Sequence, residues 1–216
     1  MRTGKKTTLP PYLETYRLAR RWQDQARRRS EAGPFVEYSR YRKIRPLLFQ
    51  GLKGRVLDAG IGTGRNIQFY PPEAQVVGID ISPAMLARAE RKRLSLGADV
   101  ELHQMDVSHL AFEDQSFDAA VATFLFCVLP DDLQVPALRE IGRVVKSGGT
   151  IRLLEYVRPR GAMRRAITRL WEPWVAWAYG AGFDRRTEES VPEAGLEVVE
   201  SRLVVDDLIK LISIRK

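Results

Sequence analysis

Three glycines at alternate positions follow an acid in the run Val56-Leu57-Asp58-Ala59-Gly60-Ile61-Gly62-Thr63-Gly64-Arg65-Asn66. Glycines spaced in this way let a backbone approach a ligand closely, and open α/β sheets bind ligands beyond the carboxyl ends of their strands. A second acid, Asp80, ends Val76-Val77-Gly78-Ile79-Asp80, 20 residues after Gly60. A carboxylate there can accept both hydroxyls of a ribose, which points to a nucleoside-containing ligand. Two details then separate the candidates. The dinucleotide fingerprint needs G-x-G-x-x-G, whereas the third glycine comes one residue early and Asp58 stands where dinucleotide binders usually have an apolar side chain. Arg65-Asn66 follows the last glycine where a triphosphate loop needs lysine. The loop is not built around phosphate.

The elements that must position these residues alternate as short apolar runs and amphipathic segments, the pattern of a parallel sheet covered on both faces. Strands are expected near residues 55–59, 75–80, 99–105, 117–122 and 150–155. Ser82 as N-cap and Pro83 at the first helical position open a helix to Arg93. A second helix is expected from Asp132 to Lys146, stopped by Gly148 and Gly149. The runs 196–205 and 208–215 stand too close for a crossover, so they must pair antiparallel. The fold expected is a doubly wound, seven-stranded, mainly parallel α/β sheet behind an N-terminal helical arm. Residues 1–50 would form the basic arm or lid, and residues 51–216 the ligand-binding domain.

From residue 52 to 157 the successive motifs resemble the class I S-adenosylmethionine-dependent methyltransferases, whose cofactor carries a sulfonium, an amino-acid tail and adenosine. The resemblance implies that Asp58, Gly60, Gly62 and Gly64 hold the methionine tail and that Asp80, with Ile81, holds the ribose. It implies an adenine clamp in Gln104-Met105-Asp106-Val107, with Asp106 accepting from the exocyclic amine and Val107 against the ring. The strand ending at Thr123 looks like the wall of the methyl-transfer site. Arg143-Val144-Val145-Lys146-Ser147-Gly148-Gly149 is similar to the family's R-V-L-K-P-G-G, with Ser147 in place of proline. Asp118, at the start of its strand, reads as a cap or turn residue and is left outside the site. Within the class the chain resembles the UbiE-like group, which includes quinone C-methyltransferases and bacterial phospholipid N-methyltransferases. Leu154-Glu155-Tyr156-Val157-Arg158 departs from the group's L-E-H-V-R, and Gly180-Ala181-Gly182 follows Pro173-Trp174 where the group has a G-C-H loop.

Methyl transfer from a sulfonium expels a neutral thioether, so no general acid is needed and positioning carries most of the catalysis. A base is needed only for an acceptor that arrives protonated; Glu155 and Tyr156, at a strand end, are the candidates, and each can equally be structural. The nucleobase-methylating pattern N/D-P-P-Y is absent, because Thr123-Phe124-Leu125-Phe126 occupies its place. No metal is expected: His103 and His109 are the two histidines and read as structural, and the single Cys127 excludes an internal disulfide and reads as a packed hydrophobe.

The chain has 216 residues and a net charge of +8. Residues 1–54 hold 14 Lys/Arg against 4 Asp/Glu, so the basicity belongs to the arm. Tyr12, Tyr16, Ala19, Trp22 and Ala26 make a helical stripe flanked by Arg17, Arg20, Arg21, Arg27, Arg28 and Arg29, and residues 35–49 read as a second helix. Such an arm suits packing on the body, an anionic membrane surface or nucleic acid. Arg164, Arg165 and Arg169 precede Trp171, Trp174, Trp177 and Tyr179, a helix stripe over the sheet or a lid for an apolar acceptor. No stretch approaches a membrane span and the N-terminus lacks an apolar leader core, so the expectation is a cytoplasmic protein, peripheral at the inner membrane face. The acceptors expected are phospholipid ethanolamine first, then a quinone precursor; RNA or protein is the weaker reading.

Overall fold

The structure is a computed structural model that describes residues 41–159 and 186–216, with Gly161, Met163, Arg165, Ala166 and residues 168–170 between them. The arm stripe 12–29 and the aromatic segment 171–179 lie outside the described residues. Seven strands form one sheet: β1 (Gly54–Ala59), β2 (Ala74–Asp80), β3 (Val100–Gln104), β4 (Phe117–Thr123), β5 (Val145–Tyr156), β6 (Glu197–Val205) and β7 (Ile209–Arg215). Their order is β3-β2-β1-β4-β5-β7-β6, with β7 antiparallel to both neighbours and the other pairs parallel. The expected doubly wound sheet is therefore present, and the strand order reverses between β1 and β4, where such sheets bind ligands.

The described helices are α1 (Pro46–Phe49), α2 (Pro83–Leu96), α3 (Asp131–Val144) and α4 (Thr187–Glu193), with a 3₁₀ turn at Ile67–Phe69. Ser82 caps α2 by accepting from the Met85 N–H, and Gly97 closes it in the left-handed region. Alternation along the strands divides the core. Leu57, Ala59, Val77, Ile79, Ala120 and Ala122 pack with Leu138 and Ile141 of α3 on one face. Val56, Val76, Ala119 and Val121 pack with Ile44, Leu48 and Phe49 on the other.

Three expectations are corrected. The helix expected to 146 ends at Val144; Val145 is fully buried and pairs with Phe117, so sheet pairing begins before Gly148, which lies at φ +76° in the bulged start of β5. Of the helix expected over 35–49, residues 35–40 lie outside the described residues and the remainder is broken by a turn at 42–45, because Pro46 has no N–H to donate to residue 42. The division at residue 50 falls inside the packed unit: Ile44, Leu48 and Phe49 are core, and Arg152 of β5 donates to the Leu48 and Gln50 carbonyls. The short helix α4, with Pro192 inside it, carries no clear periodic signal and went unread.

Candidate active site

The carboxyl ends of β1, β2 and β4 lie together in register, Ala59 against Ile79 and Ala122, and Thr123 against Leu154. The loop after β1 is strapped to β2 by two bonds: the Ile61 N–H donates to the Ile79 carbonyl at 2.9 Å, and the Gly62 N–H to Asp80 Oδ2 at 3.0 Å. Asp80 Oδ1 accepts from the Ser82 N–H at 2.8 Å. One carboxylate thus ties the glycine loop to the start of α2. Gly60, Gly62 and Gly64 all have φ between +59° and +75°, which disfavours any other residue. At Gly64 an added Cβ would come to 3.0 Å from Ala89, so that glycine serves helix packing; at Gly62 it would meet only the Gly60 carbonyl at 3.9 Å. Among the described residues nothing else crowds the space over Gly62, as a ligand-facing glycine requires.

Asp58 is completely buried. Its Oδ2 accepts from the Tyr70 hydroxyl at 2.5 Å and from Asn66 Nδ2 at 3.0 Å, while Oδ1 is buried with no hydrogen-bond partner among the described residues. Burial pushes the carboxyl up to about 6, opposed by the bonds from Tyr70 and Asn66 and by the Arg45 charge; Asp80 adds to the rise. Asn66 is itself buried; it also donates to Thr123 Oγ1 at 3.0 Å and accepts from Arg45 Nη1 at 2.7 Å. Arg45, Asn66 and Tyr70 were not foreseen, although a buried acid before a glycine loop requires donors, and Asn66 and Tyr70 are polar groups close behind that loop.

Beyond β3, Asp106 Oδ1 accepts from both the N–H and the hydroxyl of Ser108, at 2.9 and 2.7 Å, which leaves Oδ2 without a bond among the described residues. Ile81 is half-buried, and its carbonyl accepts from Gln104 Nε2. Val107 is buried in the core and presents little open surface. Asp118 accepts from the Arg55 N–H and Lys146 Nζ at the opposite end of β4 from Thr123. His109 bonds Ser108, His103 lies at the surface beside Glu101, and no cluster of three metal-ligating side chains occurs among the described residues.

The two base candidates part company. Tyr156 ends β5 half-buried, its ring stacked on Phe124 at 4.6 Å, with Tyr41 against both. Phe124 holds φ +55°, a strained value for a bulky residue, and Arg45 lies 5.6 Å from its ring. Glu155 points the other way along the strand's alternation and is 2% exposed. Both its oxygens are engaged: Oε1 accepts from the Leu125 and Phe126 N–H groups at 3.0 and 2.9 Å, and Oε2 from the Cys127 N–H at 3.0 Å. Burial pushes this carboxyl up to about 7, opposed by those three amides and the Cys127 thiol. Of the two readings of Glu155, base or structural, the geometry favours the structural one: it clamps the turn after β4, with both oxygens engaged. Cys127 is buried beneath that turn.

Residues 56–149 match the family described as a methyltransferase domain. A phosphatidylethanolamine N-methyltransferase of Cereibacter sphaeroides is 37% identical over 153 residues, covering 68% of this chain and 72% of that protein. A ubiquinone/menaquinone biosynthesis C-methyltransferase UbiE of Syntrophotalea carbinolica is 34% identical over 136 residues, 61% of this chain and 56% of that protein. Among solved structures, the PH0226 protein of Pyrococcus horikoshii aligns at TM-score 0.66 and 20% identity over 94% of this chain and 98% of its own. A protein described as a methyltransferase from Bacillus halodurans aligns at 0.65 and 19%, over 82% and 99%. These structural likenesses bear on the fold.

The chain belongs to the class I S-adenosylmethionine-dependent methyltransferases. It falls in the UbiE-like group of that class, and its methyl donor is S-adenosylmethionine. The residues present fit that donor: among the described residues Asp58 Oδ1 is a buried oxygen with no hydrogen-bond partner, and none crowds the surface over Gly62.

Proposed function

We propose that the chain methylates the head-group amine of a phospholipid, phosphatidylethanolamine. The observation that carries this reading is the aromatic shelf of Phe124 and Tyr156, edged by Tyr41 and Arg45, at the strand ends beside the cofactor loop. Aromatic faces attract an ammonium or methylammonium. The phosphatidylethanolamine N-methyltransferase relative supports it. Methylation of a quinone precursor is the second reading, supported by the UbiE relative, since the same rings would stack on a flat apolar acceptor.

When bound, S-adenosylmethionine supplies an electrophilic methyl on its sulfonium. Asp58 and the loop at Gly60 and Gly62 would hold the amino-acid tail, with Gly64 packing that loop against α2. Asp80 would accept the ribose hydroxyls, with Ile81 next to it in the chain. Asp106 would accept from the adenine amine, and Val107 would lie against the ring. Thr123, fixed by Asn66, borders the transfer site. Tyr156 orients the acceptor nitrogen, which attacks as the free amine after giving its proton to solvent, and Glu155 fixes the turn that carries Phe124. The basic arm and the segment around Met163 and Leu170, 76% and 80% exposed, would rest on an anionic membrane surface at its cytoplasmic side. No described helix is long and apolar enough to cross a membrane.

Mass spectrometry of lipid and metabolite extracts incubated with the enzyme and methyl-labelled donor tests the acceptor. Label in N-methylated ethanolamine lipid is expected. Label confined to a quinone, protein or RNA fraction would overturn the assignment.

A further inference from the structure

The Asp58 carboxylate is buried beyond the reach of water, yet its two oxygens are treated unequally. Tyr70 and Asn66 both donate to Oδ2, and neither donates to Oδ1. Two bonds on one oxygen fix the carboxylate plane and leave Oδ1, buried and without a partner among the described residues, to accept from a cationic donor. Asn66 is held in turn: with its carbonyl on Arg45 and its amide on Asp58 and Thr123, its side chain has one sensible orientation. Arg45 belongs to the segment that precedes β1 and reaches 21 residues along the chain to Asn66, so the root of the N-terminal arm is built into the cofactor loop. Its charge faces a buried anion through one amide, which lowers the cost of keeping that anion in the core.

We propose that Arg45, Asn66 and Tyr70 are positioning residues for the cofactor's amino-acid tail, orienting the ionised Asp58 so that Oδ1 receives the tail's α-ammonium. The inference rests on the tail reading given above for Asp58. The groups that face Asp58 are Tyr70 and Asn66 from the stretch after the loop, Arg45 from the segment before β1, and Asp80 from β2. Tyr70 is itself held protonated by burial and by the Asp58 charge, so it remains a donor throughout the working range. Burial pushes the Asp58 carboxyl up to about 6, so tail binding is expected to release a proton below that pH. Arg45 opposes protonation, so its loss moves the acid limb upward.

Two ligands separate tail from nucleoside: S-adenosylhomocysteine, which has the amino-acid tail, and 5′-methylthioadenosine, which lacks it. Calorimetric dissociation constants for both, from pH 5 to 8, are measured on the full chain and on variants whose thermal melts show them folded. Tyr70→Phe, which removes one oxygen and keeps the ring, is expected to weaken S-adenosylhomocysteine about tenfold and 5′-methylthioadenosine less than about twofold. Asn66→Ala should behave likewise. Arg45→Met should shift the acid limb of S-adenosylhomocysteine binding up by about one pH unit, and Arg45→Lys should return most of it. Asp58→Asn should abolish the preference for the tailed ligand. If it does so while the Tyr70 and Arg45 variants leave both preference and acid limb intact, or weaken the two ligands equally, the positioning role is overturned. If Asp58→Asn keeps the preference, the tail reading falls and takes the proposal with it.

Discussion

Replacing Glu155 tests whether a strand-end acid beside a methyl-transfer site does chemistry or holds a turn. In Glu155→Ala the N–H groups of Leu125, Phe126 and Cys127 lose their acceptor, and Phe126 and Cys127 are fully enclosed. An amide left unpaired costs about 1–3 kcal/mol, and water entering the vacated space recovers part of that, so a net loss of about 3–5 kcal/mol is expected. Glu155→Gln keeps one carbonyl for two of the amides and opposes an NH₂ group to the third, so it costs less. The carboxyl's folded value lies near 7, above its usual 4.5. A raised carboxyl stabilises the fold fully below about pH 4.5, and that contribution disappears as pH rises through 7. The shift is worth about 3 kcal/mol, so the advantage of wild type over Glu155→Gln should shrink by that order between pH 4.5 and 7. Urea unfolding at several pH values, with slopes checked for constancy, measures this. Acceptor KM should rise in both variants as Phe124 loses its support, with S-adenosylhomocysteine affinity nearly unchanged. A stable Glu155→Gln variant with unaltered KM and turnover reduced about 10²- to 10⁴-fold would refute the clamp and make Glu155 a base.

Asp80→Ala removes the anchor of the Gly62 and Ser82 amides together with both ribose bonds, each worth about 1.5–3 kcal/mol; calorimetry should find cofactor affinity reduced by at least about 100-fold. Gly62→Val forces a β-branched residue into φ +59° and fills the open space above the loop, so cofactor binding should be lost in a chain that circular dichroism shows to be folded. If Arg17, Arg20, Arg21, Arg27, Arg28 and Arg29 meet anionic lipid, each contributes about 1 kcal/mol near the surface. The protein should then co-sediment with anionic and not with neutral vesicles, salt should release it, excess RNA should not, and deletion of residues 1–30 should abolish the binding.

The parts of the fold that announced themselves were those set by local chemistry and period. Ser82-Pro83 and Gly97 mark the ends of α2 by capping alone, and the runs that became β1, β2 and β4 are apolar on both faces because both faces are covered. The end of α3 was hidden because Val144 and Val145 satisfy a helix face and a strand equally; pairing with Phe117 decides between them. Likewise Asp58 and Asp80 were legible as strand-end acids flanking a glycine loop. Arg45 was not, because nothing along the chain says that a residue of a basic arm folds back 21 positions onto Asn66. Glu155 stayed undecided for the opposite reason: its place at a strand end is a sequence property, but which side of the sheet it faces depends on the turn that its three amides build.

The most direct test is a crystal structure of the complex with S-adenosylhomocysteine. The account predicts the α-ammonium within hydrogen-bond distance of Asp58 Oδ1, both ribose hydroxyls on Asp80 and the adenine amine at Asp106, with the Tyr70 and Asn66 bonds to Oδ2 unchanged. An amino-acid tail bound away from Asp58, with Oδ1 still unpartnered, would contradict it.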